Sequence, residues 1–168
     1  ILGCRVTVKS EPGTGSSFTF AVPAGDATML AQPYSVAHAH DDLQGVVVAL
    51  VEDDPDIRES VANLMEQWGC RVFVGEMGDD VMRELDIAKA RPDLLVCDYR
   101  LPRGMTGTQV IRRMRELWGN DVPALVLTGD TAAETLHEIH ASGAMLLHKP
   151  IAPVRLRSIM YFALHGEN

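Results

Sequence analysis

Between Gly45 and Leu164 the chain alternates two kinds of hydrophobic pattern, five of each, and this alternation constrains its fold more than any other feature. The run GVVVALVE at 45–52 is almost unbroken in apolar residues, as a strand buried on both faces requires. After it, Asp54 can cap a helix and Pro55 suits its first position; Ile57, Val61, Leu64, Met65 and Trp68 then recur at helical spacing until Gly69 stops it. CRVFVG at 70–75 reads as the second strand, followed by a helix from about Asp79 to Lys89. DLLVCD at 93–98 is the third strand, and Val110, Ile111, Met114, Leu117 and Trp118 mark the next helical stripe. PALVLTG, a helix over Thr131 to His140, AMLLH and a helix over Pro153 to Leu164 complete the series. The pattern predicts an α/β fold, a doubly wound five-stranded parallel sheet with helices on both faces and right-handed crossovers. Open sheets of this kind bind ligands outside the carboxyl ends of their strands.

Those ends carry chemistry. The first strand ends in Glu52 and Asp53, the third in Asp98, the fourth in Thr128, and the fifth in Lys149 and Pro150. Taken singly, such residues are helix caps, dipole partners or solvated surface groups. Together, three carboxylates converging on one edge repel one another and raise each other's pKa unless a cation compensates. An oxygen-only donor set without His or Cys favours Mg²⁺, held by carboxylates, waters and a phosphoryl oxygen.

The net charge of −8 and a pI near 5.1 argue against a nucleic-acid or anionic-membrane surface. Only Arg112, Arg113 and Arg115 cluster, and they fit a solvated helix face. Cys4, Cys70 and Cys97 are odd in number, far apart and without metal-ligand spacing, which favours reduced thiols and a cytoplasmic setting. No apolar run approaches the roughly 20 residues that span a bilayer.

Upstream, RVTVKS and SFTFAV alternate apolar and polar positions around EPGTGS, which predicts a β-hairpin. The glycines of SEPGTGSSFTF do not make a phosphate loop. Ser16 and Ser17 supply no Walker cation, and Phe18 stands where a dinucleotide fingerprint needs glycine. Pro23 to about Gln44 has no sustained period and reads as a linker.

The segments VALVEDDPDIRES, LLVCDYRLPRGMTG, ALVLTGD and LLHKPI resemble, in order and spacing, the signature segments of response-regulator receiver domains, over about residues 45–166. The resemblance implies a flavodoxin-like sheet of strand order 2-1-3-4-5 and phosphorylation of an aspartate by a phosphohistidine. It further implies that Asp98 is the phosphoacceptor and that Glu52 and Asp53 hold Mg²⁺ with Asp98 and the main-chain carbonyl of Arg100. Thr128 then hydrogen-bonds the phosphoryl group and Lys149 pairs with it. Three departures stand out: Glu52 where a second aspartate is commoner, a loop LPRGMTG one residue longer than usual, and Leu146 where many receivers carry an aromatic switch residue. The longer loop is expected to place Met105 and Thr106 differently around the phosphoryl pocket, and the Arg100 side chain is open to two roles, reaching the phosphate or blocking water. The segment between Gly143 and Lys149 is one residue short, and with Leu146 this puts coupling from Thr128 to the fourth helix and fifth strand in question.

Residues 1–23 resemble the last hairpin of a sensor histidine kinase ATP-binding domain, through the LG start, the S-E-P-G-x-G-S turn and the F-x-F strand. With a linker at 24–44, this is the order of a hybrid histidine kinase, of which the chain is read as a C-terminal fragment without the ATP site. Its chemistry is then limited to Mg²⁺-dependent phosphotransfer to Asp98 and hydrolysis of the product. The expected partners are the kinase core or a histidine phosphotransfer domain, with neither nucleic acid nor membrane contact, and a homodimer is open to it. Phe18, Phe20 and Val22 are expected to lose their native packing, leaving the hairpin mobile, packed on the receiver or paired with another copy. His38, His40, His137, His140, His148 and His165 are read as surface groups rather than phosphate carriers. No helix-turn-helix follows the fifth helix, so output is expected through protein contact. Two other readings compete: a docking or inhibitory module that no longer signals by phosphate, and an aspartate-nucleophile phosphatase. The phosphatase would need a second acid where Arg100 stands.

Overall fold

The computed structural model describes residues 5–11, 13, 15–21 and 43–166, in two units. The first unit holds an antiparallel hairpin of β1 (Arg5–Glu11) and β2 (Gly15–Ala21), in register from Arg5↔Ala21 to Glu11↔Gly15. Gly13 and Gly15 take φ of 81° and 108°, where a side chain is strained, so the turn needs both glycines. The side chains of Phe18 and Phe20, with Val22, Cys4, His38 and His40, lie outside the described residues.

The second unit is the predicted α/β layer. Its elements are β3 (Val47–Val51), α1 (Pro55–Gln67), β4 (Arg71–Gly75), α2 (Gly78–Ala88), β5 (Leu94–Asp98), α3 (Gly107–Trp118), β6 (Ala124–Thr128), α4 (Ala133–Ala141), β7 (Met145–His148) and α5 (Pro153–His165). The strands are parallel in the order β4-β3-β5-β6-β7, the expected 2-1-3-4-5 of this unit. Alternate residues of each central strand enter opposite cores. Val48, Leu50, Leu94, Val96, Leu125 and Leu127 pack with Val61, Met65, Leu156 and Met160 of α1 and α5. Ala49, Val51, Leu95, Cys97 and Val126 pack with Val81, Leu85, Ile111, Met114 and Ile139 of α2, α3 and α4. Two apolar faces per strand explain the unbroken runs, and each large buried side chain contributes about 1.5–3 kcal/mol. Leu43, the first described residue of this unit, is fully buried.

Helix starts follow their local chemistry. The Asp54 carboxylate accepts from the backbone N–H of Asp56 and Ile57 at 2.9 and 3.1 Å, capping α1 ahead of Pro55. At α3, Thr106 accepts from the N–H of Gln109, and the Gln109 side chain accepts from the N–H of Thr106, a reciprocal cap. Two expectations for α3 need correction. Leu117 is 62% exposed and outside the core, because the buried stripe runs through Val110, Ile111 and Met114 instead. Arg115 is not a solvated charge: its guanidinium donates to the carbonyls of Val122, Ser142 and Gly143, and burial lowers its pKa. Arg113 keeps to the exposed face and pairs with Asp79 at 2.6 Å.

Candidate functional site

Strand register alone brings the sequence-predicted residues together. Val51 lies beside Cys97, so the residues that follow, Glu52 and Asp98, leave the sheet side by side. Thr128 ends β6 next to β5, and the Lys149 N–H donates to the Thr128 carbonyl at 2.8 Å where β7 ends. Arg58 of α1 fastens the β3 end by donating to the carbonyls of Glu52 and Asp53 at 2.6 and 3.2 Å.

The Lys149 ammonium is the centre of charge. It lies 2.7 Å from Asp98 Oδ1 and 2.8 and 3.1 Å from the two Glu52 oxygens. Glu52 is 1% exposed, and burial pushes its pKa up, Asp98 adding to the rise and Lys149 opposing it. For Lys149, burial alone would lower the pKa, but hydrogen bonds and attraction from Asp98 and Glu52 outweigh burial and hold it above its ordinary value. The remaining Asp98 oxygen accepts from the Arg100 N–H at 3.2 Å. Asp53 stands exposed beside this pair, and one oxygen from each of Glu52, Asp53 and Asp98 lies within 4.8 Å of the others. Such an oxygen-only set, with Asp53 open to solvent, fits a hard divalent cation.

A cleft of about 410 Å³ at the acidic site is lined by Asp98, Arg100, Thr128, Gly129, Asp130 and Lys149. The Thr128 hydroxyl accepts from the Asp130 N–H at 3.0 Å. The Arg100 guanidinium spans the cleft mouth to Asp130 Oδ2 at 2.7 Å. The loop after Asp98 makes a tight turn at Pro102–Gly104, where Arg103 and Gly104 both take positive φ. Met105 packs against the α3-side core, and the Thr106 hydroxyl is bound by Thr108 and Glu138.

These contacts assemble a receiver-type site, and the comparisons decide the family. The family model for the response regulator receiver domain matches residues 48–161. The chain belongs to the response regulator receiver domain family. Its receiver domain is 38% identical over 109 residues to the response regulator MprA of Mycobacterium bovis, covering 64% of this chain and 45% of MprA. The chain spans less than half the length of the curated relatives it matches. Among solved structures it is similar to the chemotaxis protein CheY4 of Vibrio cholerae, at 29% identity and a TM-score of 0.64, covering 71% of this chain and 99% of the other. It is also similar to the receiver domain of the sensor histidine kinase PA1611 of Pseudomonas aeruginosa, at 25% identity and a TM-score of 0.63 over 73% of this chain and 99% of the other. That structure holds a magnesium ion coordinated in its active-site cleft.

Receiver signatures draw the eye to strand ends and leave out what holds them. Asp130, Glu138 and Tyr99 received no role from sequence, and only the short spacing of Asp130 from Thr128 could have suggested one. Among the histidines, His137, His140 and His165 are exposed and His148 is partly buried. Cys70 and Cys97 are free, buried thiols; burial raises the first to about 11 and the second further still. Among the described residues, no helix of this receiver domain is long and apolar enough to cross a membrane.

Two depressed carboxylates anchor α4. Asp130 is held down to about 2, first by the Ala132 N–H and then by Arg100, and Glu138 is lowered by hydrogen bonds from Thr108 and Tyr99. A depressed carboxylate stabilises the fold above its ordinary pKa, and that stability is lost as pH falls through the folded value. Glu52, being raised, runs the other way, so acid relieves the sheet end while it loosens α4. Acidification from about pH 4 towards 2 is therefore expected to perturb the amide chemical shifts of α4 before those of β6. Simultaneous loss of both sets would contradict it.

Proposed function

We propose that this receiver accepts a phosphoryl group on Asp98 from a phosphohistidine, with Mg²⁺ held by Glu52, Asp53, Asp98 and the Arg100 main-chain carbonyl. The observation that carries the reading is the Asp98 carboxylate, 6% exposed at the end of β5, hydrogen-bonded by Lys149 and facing a cleft that contains Thr128. When bound, the cation would neutralise charge spread over the phosphoryl oxygens. Lys149 supplies a second positive charge, placed by its two contacts to Glu52 at the end of β3. An Asp98 oxygen attacks phosphorus in line; the N–P bond of the donor breaks, and the departing imidazole takes a proton from solvent. The Thr128 hydroxyl, which accepts from the Asp130 N–H, has its own proton to donate to a phosphoryl oxygen. Hydrolysis of the acyl phosphate by water returns Asp98 and inorganic phosphate.

The wider setting is a hybrid histidine kinase in the cytoplasm, with phosphorelay partners that are the kinase core or a histidine phosphotransfer domain. The N-terminal hairpin and the similarity to a sensor-kinase receiver support this. An apolar groove formed by Ile57, Val61, Leu64, Pro150, Ile151 and Pro153 beside Lys149 would seat such a donor. Incubation with radiolabelled acetyl phosphate and Mg²⁺ should give a label that hydroxylamine removes, as it does acyl phosphates. EDTA should reduce the labelling rate about a hundredfold or more. Labelling insensitive to both reagents would count against the reading. The competing reading, a docking module without phosphate signalling, draws on Leu146, which is packed with the α3-side core as an ordinary aliphatic residue. It predicts no Mg²⁺-dependent beryllofluoride shifts around Asp98.

A further inference from the structure

Glu138 has no part in the chemistry above, yet its carboxylate gathers three hydroxyls from the acceptor loop and the first turn of α3. Oε2 accepts from Tyr99 at 2.6 Å, and Oε1 accepts from Thr108 and, at 3.2 Å, from Thr106. The Thr106 and Thr108 hydroxyl oxygens also lie 2.7 Å apart, so their two protons are distributed over these three contacts. Tyr99 directly follows Asp98, and Thr106 faces Arg100 across the loop in a backbone bridge. One side chain of α4 thus grips both limbs of the loop that carries Arg100.

Apart from Arg115 of α3, which donates to the carbonyls of Ser142 and Gly143 at its C-terminal end, little else fixes this helix. Of its nine residues only Thr135 and Ile139 are buried. Its start is tied by Asp130, which accepts from the Ala132 N–H at 2.9 Å and from Thr135 at 3.2 Å while binding Arg100. The polar tethers through Asp130 and Glu138 therefore both lead back to the loop after Asp98. A phosphoryl group there carries nearly two negative charges, competes with Asp130 for Arg100 and takes up the proton of the Thr128 hydroxyl. Any resulting movement of the Arg100–Thr106 limb pulls on Glu138.

We propose that Glu138 is a positioning residue that couples the acceptor loop to α4, so that the state of Asp98 is read as the position of α4 through Tyr99 and Thr106. The inference rests on the phosphoacceptor reading. Coupling is reciprocal, so whatever shifts α4 also changes the affinity of the site for a phosphoryl group by the same factor.

The test uses Mg²⁺ and beryllofluoride, a phosphoryl mimic, on the wild type, Glu138→Gln and Tyr99→Phe, reading amide chemical shifts and beryllofluoride affinity. Tyr99→Phe keeps the buried ring and removes only the hydroxyl, so its fold should stand even if Glu138→Gln proves unstable. In the wild type, amides around Asp98 and along α4 are expected to shift together. In each variant the Asp98 region still shifts, the α4 response falls below about half, and affinity changes about fivefold or more. A merely structural role would lower Tm and leave both readouts as in the wild type, which overturns the proposal. Wild-type shifts around Asp98 with a motionless α4 also overturn it while leaving the phosphoacceptor reading intact. Absence of any wild-type shift around Asp98 sinks that reading, and this inference with it.

Discussion

Asp98→Asn is expected to lose Mg²⁺-dependent labelling by acetyl phosphate by about a thousandfold or more, with the fold preserved. The amide keeps the size of the side chain and can still accept from the Arg100 N–H, which now lies 3.2 Å from Asp98 Oδ2. It has no anionic oxygen with which to attack phosphorus. Lys149 retains its two contacts to Glu52, so no buried charge is orphaned, the loss that makes breaking such pairs costly. Removing one of three neighbouring carboxylates also relieves repulsion among them. The Tm should consequently stay level or rise, and the circular-dichroism spectrum should match the wild type. Undiminished labelling in a folded Asp98→Asn protein would move the acceptor elsewhere and undo the site assignment.

The parts of this molecule that were legible in its sequence are those set by period and by the chain's own direction. Strands buried on both faces must be apolar at every position, which made β3, β5 and β6 visible as runs; α1 was visible as a stripe between Asp54 and Gly69. Because parallel strands all end on one edge, the convergence of Glu52, Asp98, Thr128 and Lys149 followed from the runs themselves. What escaped has no period. Glu138 lies 39 residues from Tyr99 and 30 from Thr108, and nothing in the alternation says which exposed-looking acid of a short helix turns inwards. Arg115 escaped for a related reason: beside Arg112 and Arg113 it looked like a third solvated charge, whereas loop carbonyls at Val122, Ser142 and Gly143 needed a donor. Leu117 shows the converse, an apolar residue at helical spacing that lies off the buried stripe of α3 and stays in water.

Gly107→Ala should be the most damaging single-methyl change at the site. A Cβ on Gly107 would lie 2.3 Å from the Asp98 carbonyl oxygen, 3.1 Å from its carbonyl carbon and 3.2 Å from Cys97 Cβ. Neither backbone can yield cheaply. The Gly107 N–H donates to the Tyr99 carbonyl at 2.9 Å, the Tyr99 N–H donates to Leu127 at 2.8 Å, and Asp98 is paired with Leu127 in the sheet. Such overpacking costs about 3 kcal/mol, or about 10 °C in Tm for a domain of this size. The same push displaces the acceptor, and a misplacement of about 1 Å is enough to slow labelling about a hundredfold. Gly129→Ala provides the contrast within the same cleft, because an added Cβ there meets nothing within 4 Å and the backbone φ is ordinary. Its stability should change by no more than about 0.5 kcal/mol. Thermal melts of the two variants therefore separate a close backbone approach from a general intolerance of the cleft. Equal losses in both would mean that α3 is not seated against the Asp98 carbonyl as described.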